Sequence, residues 1–581
     1  MTTPPDFKRR TLVKALAASA LIPLLGSNLI ACSNNSNNSS ILDGLGGVPA
    51  DFNHGVASGD PLTDRVILWT RVTPTGAEGN VQIQWQIADN AEFTNILGQG
   101  EGTTSADVDY TVKVDAEGLE PGSVYYYRFI TGDKTSTVGK TRTLPQGSVA
   151  SATFAVVSCS NYPAGYFNVY SEVAQQDVDA VLHLGDYLYE YSSTGYASAR
   201  AEEFGRVVEP ANEIISLSDY RTRYAQYRGD TDLQAAHAAH AFIIVWDDHE
   251  VANDSWENGA QNHDPATEGT YADRRFAAIQ AWHEWLPVRP STTMENIIYR
   301  RFQYGGLIDL LMLDTRHVGR NEQLQYSDFA TGGIIDVDGV HAALSDTTRT
   351  MVGSEQLGWL REQLNQSNAR WQVLGQQVLM GRYQVPSTLL EALDPGISPE
   401  LDLGKGTAAL LAAVTAKGKA PQDRTSEEQA LLDSAVPYNL DAWDGYDSER
   451  DDILTFAQQL DSKLVVLAGD THNAWTSQLK TADGKVAGVE FGCTSVSSPG
   501  FDGVDLLGPG NAAAFGPLVV GLIDDLNYAN LVGRGYLHIS FTADTVTATH
   551  RFVSTIESKE YVEDVAAAKS FVVDRADMLL S

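Results

Sequence analysis

Four apolar runs in this sequence end in side chains that bind metal ions. "VVLAGDTHNAW" (465–475) runs into Asp470 and His472, and "AVLHLGDYLYE" (180–190) into Asp186. "FIIVWDDHE" (242–250) runs into Asp247, Asp248, His249 and Glu250, and "FAVVSCSN" (154–161) into Cys159. A buried strand has no use for a carboxylate, an imidazole or a thiol at its tip unless a partner compensates for the desolvation, and these are the groups that hold cations. A single Asp at a strand end is usually a turn or helix cap, and a single His a satisfied core residue. Four such tips in one chain predict one shared metal site.

The elements that must position these tips are legible in the spacing of apolar residues. After Pro145, strand-like runs alternate with helical ones: "FNVYSEVAQQ" and "DRRFAAIQAWHEWL" have helical spacing, while "GLIDLLMLDTR" and "RWQVLGQQVLM" read as core strands. Such alternation predicts a layered α/β architecture that binds ligands outside the carboxyl ends of its strands, where all four tips lie. Before Pro145 the pattern is short strands with turn signals, "RVILWTRV", "VQIQWQIA", "DYTVKV" and "VYYYRFITG". "LEPGSVY" spaces Leu119, Pro121 and Tyr125 as in a tyrosine corner, so a small β-sandwich of the fibronectin type III kind is expected there. Neither a Gly-rich phosphate loop nor a G-x-S-x-G elbow occurs.

Charge and cysteine usage narrow the partners. Against 75 acidic side chains stand 40 basic ones, a net charge of -35 that repels DNA, RNA and anionic membranes, so no nucleic-acid partner is expected. The N-terminus pairs Arg9 and Arg10 ahead of an apolar stretch broken by Pro23 and Gly26, and resembles a twin-arginine export signal. Leu29 to Cys32 resemble a lipoprotein processing site, the alternative being a plain cleaved signal, and the Ser/Asn-rich stretch that follows reads as a tether. An exported protein, periplasmic, at the cell surface or secreted, is the expectation. Of the three cysteines, Cys32 is the candidate lipid anchor, and Cys159 is expected to be a metal thiolate unless it pairs with Cys493 in a disulfide.

The motifs "GDYLYE", "WDDHEVANDSW", "NLDAWDGYDSER" and "LAGDTHNAW", with the opening "HGVASGDPLTDRVILWTRV", resemble the PhoD-type alkaline phosphatases of the metallophosphoesterase superfamily. The resemblance runs in order from about Asn53 to the C-terminal strands. It implies an α/β fold, a four-layer αββα metallophosphoesterase sandwich preceded by a small fibronectin-III-like β-sandwich. The chain then divides into an export signal over residues 1–32, a tether over 33–50, the N-terminal sandwich over 51–147 and a catalytic domain over 148–581. It also implies an exported hydrolase of phosphomonoesters and phosphodiesters that serves phosphate scavenging.

By the same resemblance Asp186 is the carboxylate shared by two metals, and Tyr189 matches the phenolate ligand of the purple-acid-phosphatase branch. Cys159 stands where the superfamily has Asp-x-His, and His472 is the last histidine of its motif. A thiolate, a phenolate, a carboxylate and an imidazole favour a ferric ion, Fe3+. At the second position Asp248 and Asp470 replace nitrogen ligands by oxygen, which suits Ca2+ or Mg2+ better than Zn2+, with one or two calcium ions, Ca2+, the first choice because calcium coordination is flexible. Sequence leaves open whether Asp247 or Asn253 also reaches a metal. His249 is implied to face the substrate and to protonate the leaving oxygen or stabilise the transition state. Arg316 in "LDTRH" and Arg382 in "MGRY" follow core strands and are candidates to hold phosphate oxygens, with a structural ion pair as the alternative for each. The loops 315–350 and 385–437 are expected to shape the mouth. A phosphodiesterase or phospholipase-type hydrolase is the alternative among enzymes. A calcium-binding surface protein with a degenerate phosphoesterase domain is the alternative of another class.

Overall fold

The computed structural model describes residues 48–76, 79–290, 297–398, 400–503 and 507–581. The expected export signal over residues 1–32, the candidate lipid anchor Cys32 and most of the expected tether over 33–50 lie outside the described residues. Two large mixed sheets are stacked face to face. The first has nine strands in the order Lys569–Asp574, Thr545–Val553, Arg534–Thr542, Ser151–Val157, Ala180–His183, Ala241–Ile244, Val56–Gly59, Arg65–Arg71, Thr111–Glu117. The second has seven, in the order Arg300–Tyr304, Ile308–Met312, Trp371–Gly375, Leu464–Ala468, Val486–Gly492, Ala474–Lys480, Leu526–Asn530.

At the heart of each sheet four neighbouring strands run parallel: 151–157, 180–183, 241–244 and 56–59 in the first, and 308–312, 371–375, 464–468 and 486–492 in the second. Their sequences follow from that position. Covered on both faces, "AVLH", "AFII" and "LVVLA" are uniformly apolar or buried at every residue, whereas the flanking antiparallel strand Arg534–Thr542 alternates along part of its length. Between the sheets Phe154 packs edge-on to Tyr304 at 4.9 Å, and Trp371 meets Phe541 at 6.1 Å while donating its indole N–H to Thr542 O. Helices Asn168–Ala174, Leu217–Arg228, Thr231–Ala239 and Tyr271–Trp285 pack on the first sheet; Gly353–Gln366, Leu403–Lys417, Asp447–Gln459 and Gly508–Leu522 belong to the second side. The result is the layered α/β architecture expected from the alternation, in the αββα order that the resemblance implied.

The N-terminal strands form the expected sandwich, and one of its two sheets is continuous with the nine-stranded sheet. Gly139–Arg142, Val124–Thr131, Val81–Ala88 and Ile96–Thr104 make one sheet, and the other consists of strands 56–59, 65–71 and 111–117, joined to the first large sheet through Ala241–Ile244. The tyrosine corner is present, with the Tyr125 hydroxyl accepting from the Glu120 N–H at 2.8 Å. Asp60 clasps the two parts: its carboxylate takes both Arg300, at 2.7 Å, and the Arg289 N–H, at 2.8 Å. The loops expected at the mouth are largely structured, since residues 385–437 contain helices Ser387–Leu393, Leu403–Lys417 and Ser426–Asp433.

Candidate metal centre

Three of the parallel strands, 151–157, 180–183 and 464–468, run into sharp reversals that carry polar donors. Cys159, Asp186, Asp470 and His472 all have positive φ, between 53° and 65°. A residue with a Cβ held there costs roughly 1–2 kcal/mol, and such strain persists only where the surroundings over-determine it. The preceding glycines explain the close approach of the turns. A Cβ on Gly185 would lie 2.4 Å from the Asp247 Cβ, and one on Gly469 would lie 2.8 Å from the Ser158 side chain. Main-chain bonds then fix neighbouring tips to one another: Cys159 N–H to Gly185 O, Ser160 N–H to Asp186 O, and Gly469 N–H to Gln377 O.

The tips meet as three adjacent donor groups. Cys159, Asp186 and His472 form the first, Asp186, Asp248 and His249 the second, and Asp247, Asp248 and Asp470 the third, with donor atoms inside each group lying within 4.8 Å of one another. Asp186 and Asp248 each belong to two groups, so the three positions form a chain with shared carboxylates. Tyr189 joins the first, its hydroxyl 2.9 Å from Asp186 Oδ2 and 3.0 Å from His472 Nε2. The His472 Nδ1–H donates to Pro499 O at 2.8 Å, which leaves the Nε2 lone pair for the group's centre, 3.9 Å from Asp186 Oδ2. Six of the sequence-predicted ligands, Cys159, Asp186, Tyr189, Asp248, Asp470 and His472, are thus brought together. Asp247 belongs to the third group, while the Asn253 amide pairs with Gln261. Cys159 and Cys493 are both buried and free, so no disulfide competes for the thiol.

Several observations mark the groups as sites for cations. Asp186 Oδ1 and Asp247 Oδ2 are buried without a hydrogen-bond partner, a costly state for carboxylate oxygens that a cation relieves. Burial, with further carboxylates close by, pushes the Asp186 and Asp470 carboxyls far up, and burial pushes Asp247 up to about 7. Burial and then Asp186 likewise push the Cys159 thiol and the Tyr189 phenol up. Protein charges alone therefore do not keep these groups ionised, and a bound cation would. Burial holds His472 down at about 3, neutral as a ligand must be.

His249 is placed differently. Its Nδ1–H donates to the buried Glu190 at 2.7 Å, and its ring stacks 4.2 Å from Tyr189. Burial opposes its charge, but Asp248, Glu190 and Asp186 together hold it well above the usual imidazole range. Arg316 reaches the cluster but spends itself there. Fully buried, it bonds Asp247 at 2.5 Å, Asp441 at 2.9 Å and Asp470 at 3.2 Å, and so acts as a counter-charge to the carboxylates, with no fork free for phosphate. Of the two expectations for Arg382, the structure shows the ion pair. Its partners are Asp447, at 2.6 Å, and Asp451, at 2.8 Å, both on helix Asp447–Gln459, so its ion pairs are structural and involve no residue of the cluster.

Three residues without a predicted role organise the centre. Glu250 accepts from the N–H groups of Asp186, Tyr187 and Asp247, tying two strand ends into one unit. Glu190 holds His249 and the Asn253 N–H, and Asp441 pairs with both Arg316 and Arg320. All three lie inside motifs visible in the sequence, but what marks their roles is the pairing, not the residue type.

Comparison with known proteins agrees with this geometry. Residues 154–550 match the family model described as PhoD-like phosphatase, and residues 46–145 match its N-terminal domain. Alkaline phosphatase D of Bacillus subtilis (strain 168) is 36% identical over 470 residues, 77% of this chain and 70% of that protein. A solved structure described as "Structure of PhoD" superposes with a TM-score of 0.72 at 32% identity, covering 91% of each chain.

Proposed function

The chain belongs to the PhoD-like phosphatases, metal-dependent phosphoric ester hydrolases, and from that premise we propose an exported enzyme that cleaves phosphomonoesters and phosphodiesters and releases phosphate for the cell. In this reading a ferric ion occupies the group of Cys159, Asp186, Tyr189 and His472, and calcium occupies the positions built on Asp247, Asp248 and Asp470. The observation that supports it is the segregation of donors: sulfur, phenol and imidazole gather on one side of Asp186, and the third group offers oxygen alone.

Hydrolysis breaks the phosphorus–oxygen bond to the alcohol, joins the oxygen of water to phosphorus and returns a proton to the departing oxygen. Cations held by Cys159, Asp186, Tyr189 and His472 and by Asp247, Asp248 and Asp470 would supply positive charge for the phosphate oxygens and for activating water. The chain's own residues do the rest. His249, fixed by Glu190 through Nδ1 and held protonated, keeps its Nε2–H to give to the leaving oxygen. Arg316 balances Asp247, Asp441 and Asp470, so that the carboxylates stay clustered. Asp470 and His472, with 17% and 16% side-chain exposure, are the ligands that reach solvent and mark the approach for substrate.

The test is release of p-nitrophenol from its phosphate, with metal content followed by mass spectrometry. EGTA should abolish turnover reversibly and leave iron in place, and Ca2+ should restore it far better than Zn2+. Cys159→Ser should lose iron and on the order of 100-fold in activity, while Asp470→Ala should keep iron and fail to respond to moderate Ca2+. Turnover that survives complete calcium removal, or returns best with Zn2+, would sink the assignment of metals. Export through the twin-arginine machinery, with Cys32 as a lipid anchor, is part of the same proposal and rests on the N-terminal motifs. The absence of a nucleic-acid partner rests on the charge of -35.

A further inference from the structure

Beside the metal centre lies a cavity of about 180 Å³. Four rings form one wall: Tyr383 and Trp475 at 5.2 Å, Tyr438 and Trp475 at 6.2 Å, and Tyr438 and Phe501 at 5.9 Å. Phe515 and mostly aliphatic side chains line the remainder, Leu390 of helix Ser387–Leu393 and Val519 of helix Gly508–Leu522 among them, and Asp394 is the one charged residue in the lining.

The cavity shares a segment with the open edge of the centre. The Trp475 indole N–H donates to Thr471 Oγ1 at 2.8 Å, between the ligands Asp470 and His472. The Phe501 N–H donates to Asn473 Oδ1 at 3.3 Å, and Pro499, two residues earlier, accepts from His472. The Tyr438 hydroxyl has no hydrogen-bond partner among the described residues, whereas that of Tyr383 is held by Ser477 and Glu490. The cavity is partly open, and its lining is almost wholly apolar and offers water few polar partners, so it favours apolar groups. Next to a site for phosphate, such a space fits one kind of molecule, a phosphate joined to a hydrocarbon.

We infer that this cavity is the binding pocket for the aliphatic chain of a phosphate ester, seated while its phosphate lies on the cluster. The inference rests on the phosphatase reading and adds the class of alcohol. Selectivity for chain length then comes from burial, with kcat/KM rising up to about fourfold for each methylene that enters and levelling once the cavity is full.

The experiment compares n-alkyl phosphates from methyl to octyl, below micelle-forming concentrations, on the metal-loaded enzyme. Calorimetric binding of octylphosphonate against methylphosphonate gives a readout that needs no turnover. The expected result is a stepwise rise in kcat/KM and octylphosphonate binding at least tenfold tighter. Val519→Trp and Leu390→Phe, on different helices, fill the cavity, and in each the octyl-to-methyl ratio should fall about tenfold, with folding checked by circular dichroism. A flat chain-length series with methyl phosphate still hydrolysed overturns the pocket and leaves the phosphatase reading intact. If no ester is hydrolysed, the phosphatase reading fails, and equal binding of the two phosphonates then overturns the pocket as well. Should both variants misfold, the parent's chain-length series and phosphonate binding decide the matter.

Discussion

His249 and Glu190 show how a neighbour sets what one side chain does. Burial alone would keep the imidazole neutral, and it does so at His472, held at about 3. At His249 the carboxylates of Asp248, Glu190 and Asp186 outweigh burial and keep the proton on. Glu190→Gln keeps the size but removes one of those charges, so the imidazolium should lose its proton at lower pH. The expected outcome is a kcat lower by roughly 10–100-fold, with the alkaline limb of the pH–rate profile displaced to lower pH. A uniform loss at every pH, with the limb unmoved, would reduce Glu190 to a structural support. The same scale explains why Arg316 and Arg382 differ. Both follow strands and both are ion-paired, but only Arg316 faces the carboxylates of the centre.

At the scale of elements, the centre depends on strand ends that approach more closely than ordinary side chains allow. Gly185 combines φ of +107° with a Cβ position already occupied by Asp247. Gly185→Ala must therefore strain its own backbone, at roughly 1–3 kcal/mol, and also push Asp247 away from Asp248 and Asp470. Metal content and activity should fall together, and the melting temperature should drop by about 1–3 °C in a chain of this size. A variant that melts lower yet loads metal normally would show that the turn tolerates displacement. Glu250 carries a related duty, since three N–H groups from two different strand ends converge on its carboxylate. The left-handed turns at Cys159, Asp186 and Asp470 belong to the same device, which brings the donor side chains together beyond the strand ends.

For the whole molecule, if Arg9 and Arg10 serve as the proposed twin-arginine signal, folding and metal loading would precede export, which would suit the ferric ion proposed for the group of Cys159, Asp186, Tyr189 and His472. Replacing Arg9 and Arg10 by lysine should leave the precursor inside the cell, and unchanged secretion would remove the signal. The sequence by itself determined the layered α/β class, the sandwich with its tyrosine corner, and six donors at strand tips, Cys159, Asp186, Tyr189, Asp248, Asp470 and His472. It could do so because apolar periodicity and ligand type are local properties, and because the motifs are long enough to mark a family. Tertiary structure alone decided that strands 56–59, 65–71 and 111–117 continue the catalytic sheet, that Arg382 serves helix Asp447–Gln459, and that Arg316 is a counter-charge. It alone assembled Glu190, Glu250 and Asp441 into supports and set four aromatic rings around one cavity. The physical reason is common to all of these: pairing of charges, approach of backbones and closure of a cavity depend on distances between residues tens to hundreds of positions apart, and no local pattern of residue types encodes them.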